Sequence, residues 1–223
     1  MKKWDIAVTA ILVACALVTT GLVIRREFFA PAAASANPTE KPRYIDDWRS
    51  HLTDGVTAGS PQAPVQIIEF ADFECPFCAT FHKTLKSIEA KFPGKIAATF
   101  VHFPLPGHRF AEPAARVAEC AADQGHFASM QDQLFANQNS FGLKPWSEFA
   151  TSAGVPDLQA FDACIKQEAP VQRIEIGKKA GEQLDIRSTP SIILNGWKLA
   201  QPPTEAQLQD MIQATLEGKK PVS

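Results

Sequence analysis

The chain has 223 residues, 45% hydrophobic and 21% charged, with 22 Lys and Arg against 24 Asp and Glu for a net charge of -2. That length suits one domain of ordinary size plus a tail, and the composition is that of a folded globular protein rather than a disordered one. The charge balance argues against a nucleic-acid backbone binder, and collagen, coiled coil, tandem repeats and a polytopic membrane protein are excluded.

Ile6 to Ile24 carries no charge and stops at Arg25-Arg26. As a helix it would span roughly 28 Å, close to the hydrocarbon thickness of a bilayer. Residues 1–29 therefore read as a membrane anchor or signal segment, with residues 6–24 holding the protein to the inner (cytoplasmic) membrane. Two processed forms compete. Leu12-Val13-Ala14-Cys15 resembles a lipobox with Cys15 as the lipidated residue, but the residues after Cys15 stay apolar. Ala34-Ser35-Ala36 resembles a signal-peptidase site, yet lies well beyond the apolar run. Basic residues flank the run on both sides and do not set its orientation. Residues 30–58, with Ala and Pro concentrated at their start, read as a linker.

Val65 to Ala71 is apolar on both faces, the pattern of a central strand covered on two sides. A helix is predicted from Pro76, with Phe77, Phe81, Leu85, Ile88 and Phe92 on one stripe, ending at Pro93-Gly94. Lys95 to Phe103 is the next strand, giving β-α-β with a parallel pair. From Phe110 to about Gln167 the pattern is helical, broken at Gly125, Gly142 and Pro156, and a further helix runs from about Val171 to Leu184. Ser191–Leu194 and Trp197–Leu199 flank Asn195-Gly196, a strong hairpin signal. Thr204 and Gln207 stand in capping-box spacing ahead of Leu208, Met211, Ile212 and Leu216, with a stop at Gly218. The class is α/β. Without the helical block, the order β-α-β … α-β-β-α is that of a thioredoxin fold.

The chemistry concentrates at Cys75-Pro76-Phe77-Cys78. Proline suits the first helical position, which puts Cys75 at the N-cap and Cys78 one turn inside. The unpaired N–H groups there favour a thiolate, the reactive form of cysteine. Cys75 is thus the expected exposed nucleophile and Cys78 the screened resolving thiol. The alternative is half of a zinc site, but a second close cysteine pair is missing, since Cys120 and Cys164 stand 44 residues apart. Glu69 interrupts the apolar strand six residues before Cys75. Burial would raise its pKa and suit it to exchange a proton with Cys78; the alternative is a strand carboxylate paired with Lys178 or Lys179.

The stretch Gly59-Ser60-Pro61-Gln62-Ala63-Pro64-Val65-Gln66-Ile67-Ile68-Glu69-Phe70-Ala71-Asp72-Phe73-Glu74-Cys75-Pro76-Phe77-Cys78 resembles the opening of DsbA-like thiol–disulfide oxidoreductases, and Ser188-Thr189-Pro190-Ser191-Ile192-Ile193-Leu194-Asn195-Gly196 resembles that family's second signature. The resemblance covers residues 59–218 and implies a thioredoxin domain with a helical insertion over about 108–170. It implies a cis bond before Pro190, beside the cysteine pair, where the alternative from sequence alone is a trans proline opening a strand. It also implies that Thr189 and Pro190, with Pro76 and Phe77, bind an extended substrate segment, and it places Glu69 where the family carries its buried acid. One departure stands out. Strongly oxidising members carry His where this chain has Phe77, and phenylalanine cannot donate to the thiolate, so the Cys75 pKa is expected below that of a free thiol but above that of those members. Glu74 would add to the effect if its carboxylate faces the sulfur.

Cys120 and Cys164 are candidates for a structural disulfide between two helices, or for two buried thiols. The five histidines show no metal-ligand spacing; His108 and Arg109 could edge a substrate groove, and no metal is expected. The function expected is an exported thiol–disulfide oxidoreductase, periplasmic or extracytoplasmic, favoured as an oxidase and needing no cofactor. Its expected partners are cysteine-containing exported proteins and a membrane redox partner, with no nucleic acid; the chain is expected to be a monomer. The alternatives are a reductase or isomerase using the same atoms and a non-catalytic peptide-binding or chaperone module.

Overall fold

The computed structural model describes residues 41–222 and, before them, Leu12. The anchor expected at residues 6–24, Cys15 and Ala34-Ser35-Ala36 lie outside the described residues, apart from Leu12. Among the described residues no helix is long and apolar enough to cross a membrane. Pro38–Ser223 forms one compact unit.

Six strands and seven α-helices build this unit: β1 (Arg43–Tyr44), β2 (Val56–Ala58), β3 (Val65–Ala71), α1 (Pro76–Lys91), β4 (Ile96–His102), α2 (Ala111–Ala122), α3 (Phe127–Ala136), α4 (Trp146–Ser152), α5 (Leu158–Ile165), α6 (Gln172–Gln183), β5 (Ser191–Leu194), β6 (Trp197–Lys198) and α7 (Glu205–Leu216). The sheet order is β1-β6-β5-β3-β4-β2. β3 and β4 pair in parallel from Val65–Ile96 to Ala71–His102, and both are buried throughout, as central strands covered on two faces require. Every other pairing is antiparallel.

Alternation along β3 sorts its side chains between two cores. Val65 and Ile67 pack with Phe81, Leu85 and Ile88 of α1 and Leu208 and Ile212 of α7. Ile68 and Phe70 pack with Ala180 and Leu184 on the opposite face. Each of the larger of these buried side chains contributes about 1.5–3 kcal/mol. The same alternation puts Glu69 on the face that α1 covers. A third core fills the helical block α2–α5 and reaches Phe73, Cys75 and Cys78. The turn Asn195-Gly196 has φ of 44° and 90°, and Asn195 Oδ1 accepts from the Gln66 N–H at 2.6 Å, tying the hairpin to β3. At α7 the Thr204–Gln207 capping box is complete.

The expected linker 30–58 requires correction at its carboxyl end. Residues 43–58 belong to the sheet: β1 adds to β6, β2 adds to β4, and Trp48 between them is 2% exposed. Strands of two and three residues are too short for alternation to register, and only pairing with distant strands defines them. The expected stripe on α1 also changes, because Phe77 is 36% exposed and Cys78, not Phe77, faces the core.

Candidate active site

The loop Asp72–Cys75 leaves the carboxyl end of β3 and enters α1, whose N-cap is Cys75 and whose first residue is Pro76. Cys75 keeps extended φ and ψ of -73° and 120°, and its carbonyl accepts the first helical bond from the Ala79 N–H at 3.2 Å. The Thr189–Pro190 peptide is cis, and the segment leading into β5 brings the Thr189 carbonyl to 3.3 Å from Cys75 Sγ. That cover corrects one expectation: Cys75 is not exposed, at 3%, and Cys78 is fully buried. Both cysteines are free thiols.

The two sulfurs differ sharply in acidity. Cys75 is lowered from an ordinary 9.0 to about 6, chiefly by a hydrogen bond from the Cys78 side chain, against the upward effect of burial. The Thr189 hydroxyl, buried and with no other partner among the described residues, adds a smaller downward effect, as do the N–H groups of Cys78 and Phe77 at the helix start. Cys78 moves the other way, pushed well above 9.0 by burial and by its hydrogen bond to Cys75, with the charges of Glu69 and Cys75 adding to this. Glu69 is 2% exposed, and its Oε1 has no hydrogen-bond partner among the described residues. Burial, and then the Cys75 charge, push it from 4.5 up to about 8. The alternative pairing with Lys178 fails: that lysine is 3.0 Å from both Glu112 and Glu175.

Three residues hold the loop through contacts that the sequence does not show. The buried Asp72 carboxylate accepts from the N–H groups of Glu74 at 2.7 Å and Leu105 at 2.9 Å, and lies 2.7 Å from His108 Nδ1. Glu74 turns away from the sulfur and accepts from the Phe110 N–H at the start of α2, so its charge does not act on Cys75 as expected. Gln138, in a 3₁₀ turn after α3, donates to the carbonyls of Phe73 at 2.7 Å and Cys75 at 2.9 Å. Aspartate just ahead of a helix start is a readable turn signal. Gln138 carries none, 63 residues from the loop it touches.

Elsewhere, Cys120 of α2 and Cys164 of α5 form a disulfide with Cα atoms 5.8 Å apart. His108 is held by Asp72, and Arg109 lies over the Phe110 ring, 5.1 Å from its centroid. The remaining histidines are hydrogen-bonded locally: His51 to Asp54, His82 to Asp132, His102 to Glu119 and His126 to the Ala153 carbonyl. Among the described residues no group of three or more His, Cys, Asp or Glu is placed to hold a metal.

A family model described as Thioredoxin matches residues 51–214. Among curated proteins, the Na(+)/H(+) antiporter NhaA 1 of Mycolicibacterium gilvum (strain PYR-GCK) is 31% identical over 175 residues, which cover 77% of this chain and 27% of that protein. The chain thus spans about a quarter of that relative's length. Among solved structures, BdbD from Bacillus subtilis in its oxidised form superposes with a TM-score of 0.66 at 20% identity, covering 75% of this chain and 95% of that one. Wolbachia pipientis alpha-DsbA1 gives a TM-score of 0.60 at 23% identity, covering 73% and 90%. At these identities the two structures speak to the fold, a thioredoxin core with a helical block set into it. The chain belongs to the thioredoxin family.

Proposed function

We propose that this protein exchanges disulfides with cysteine-containing proteins outside the cytoplasm through Cys75 and Cys78, working as an oxidase. The observation that carries this reading is the asymmetry of the pair: an acidic Cys75 at the helix start under the Thr189 carbonyl, beside a far less acidic Cys78. In the oxidising direction a substrate thiolate attacks Cys75 of the Cys75–Cys78 disulfide. The S–S bond breaks, a mixed disulfide forms at Cys75, and Cys78 leaves as a thiolate that takes a proton from Glu69, the more acidic of the two groups. A second substrate thiolate then attacks the substrate sulfur of the mixed disulfide and expels Cys75 as a thiolate, a good leaving group at its pKa of about 6. The substrate has lost two electrons and the cysteine pair has gained them, to be passed to a membrane redox partner. The Cys120–Cys164 disulfide supports an oxidising compartment, and the apolar residues 6–24 support export with retention at the membrane.

The same atoms run in reverse for a reductase or isomerase, and the acidity of Cys75 moves the pair part of the way toward that second reading. A Cys75 pKa of about 6 lies nearer the nucleophile of thioredoxin, about 7, than that of the strong oxidant DsbA, about 3.5. Each unit is worth up to about 30 mV, which takes the expected potential from about -120 mV, that of DsbA, toward about -200 mV. Equilibration of the Cys75/Cys78 pair with glutathione buffers tests both readings. A potential near -200 mV or above supports oxidation. A value at or below about -270 mV, that of thioredoxin, reverses the direction, and a pair that does not equilibrate at all removes the proposal.

A further inference from the structure

Gln138 lies outside the thioredoxin core, in the helical block between α3 and α4, yet its side chain reaches the two carbonyls that bracket Glu74: Phe73 at 2.7 Å and Cys75 at 2.9 Å. Both bonds come from Nε2, and a primary amide has two hydrogens to give. We infer that Gln138 is a positioning residue for Cys75, a clamp through which the helical block fixes the nucleophile's backbone. The inference rests on the exchange chemistry proposed for Cys75.

Each anchor of the loop controls a different part of it. Asp72 fixes Glu74 N–H and Glu74 fixes Phe110 N–H, so both act ahead of the nucleophile. Gln138 acts on residue 75 itself, sharing the Cys75 carbonyl with the first N–H bond of α1. That carbonyl follows the sulfur-bearing Cα directly, so fixing it fixes the direction in which Sγ leaves the backbone. The N–H groups of Phe77 and Cys78 and the Thr189 hydroxyl can hold a thiolate only from that direction. Without the amide, the Phe73 and Cys75 carbonyls lose a donor, the loop gains freedom, and the fixed dipoles around the sulfur no longer converge on it. The Gln138 amide also presents its positive end to the backbone next to a developing anion, and removing it works in the same direction.

The test uses the full chain in its reduced form and reads the thiolate directly, by absorbance at 240 nm and by alkylation rate against pH, together with equilibration against glutathione. Gln138→Met keeps length and volume but cannot donate. Its Cys75 midpoint is expected to rise by about half a unit or more, a threefold loss of thiolate at pH values below the midpoint, with the potential moving toward the reducing side. Gln138→Glu places a carboxylate before the same carbonyls, so its shift is expected to be larger; it carries the test should the methionine variant fold poorly. Far-ultraviolet dichroism and mass analysis of the Cys120–Cys164 bond report folding independently of the site. A variant that loses stability but keeps the wild-type thiolate midpoint and potential assigns Gln138 a structural role and overturns the inference. Failure of the wild-type pair to exchange with glutathione is a different result, and overturns the proposed function instead.

Discussion

Glu69 and Cys75 lie within electrostatic reach of each other, and their pKa values are shifted in opposite directions. Glu69 keeps its proton to about pH 8 in the folded chain and loses it near 4.5 in the unfolded one, so between those values the folded state binds more protons and stability falls as pH rises. Cys75 ionises near 6 when folded and near 9.0 when unfolded, so between those values stability rises with pH. Together these two groups lower the stability of the reduced protein from pH 4.5 to 6, and from 6 to 8 their slopes cancel. Glu69→Gln removes the falling slope, and the reduced variant should gain about 3 kcal/mol between pH 6 and 8 that the wild type does not. Denaturant titrations of both proteins across this range measure the difference; parallel profiles would mean that Glu69 ionises as an ordinary surface carboxylate. The identity of Glu69 as an interruption in an apolar strand was readable from sequence. The lack of a hydrogen-bond partner for its Oε1 among the described residues was not, because Lys178 is engaged by Glu112 and Glu175.

At the level of elements, α6 shows why some residues in a well-read segment had no readable purpose. Its span was expected over about 171–184 and is 172–183. Gly177 and Gly181 weaken a helix by about 1 kcal/mol each, and the sequence offers no compensation. The structure does: a Cβ on Gly177 would lie 2.2 Å from the His102 carbonyl oxygen, and one on Gly181 2.3 Å from the Phe103 ring. The two glycines let α6 approach β4 where β4 pairs with the end of β3, next to the cysteine loop. Gly177→Ala should destabilise the protein by about 1–2 kcal/mol, overpacking against a fixed carbonyl outweighing the gain in helix propensity. A denaturant midpoint equal to or above wild type would show that β4 can yield.

For the whole molecule, the helical block is joined to itself by Cys120–Cys164 and to the thioredoxin core by contacts at the cysteine loop. Closing a loop of 44 residues restricts the unfolded chain, and replacing both cysteines with serine should cost roughly 4 kcal/mol in the chain-entropy account. The Cys75/Cys78 potential should stay at its wild-type value, because the bond lies across α2 and α5 and none of the groups acting on Cys75 belongs to it. Unfolding curves and glutathione equilibration of Cys120→Ser, Cys164→Ser separate the two effects. A shifted potential would mean that the block's internal tension reaches the site.

Local chemistry is what the sequence determined by itself. Pro76 between two cysteines marks a helix start, Asn195-Gly196 marks a hairpin, Thr204 with Gln207 marks a cap, and unbroken apolar runs mark the central strands, because each of these is decided by neighbours a few residues away. The tertiary structure decided whatever depends on residues distant in the chain. It covered Cys75 with the Thr189 segment, turned Phe77 outward and Glu74 toward Phe110, recruited residues 43–58 into the sheet, and brought Gln138 to the nucleophile's carbonyl. Burial and hydrogen-bond partners are properties of packed surfaces, and packing is settled only when every element has closed on the others.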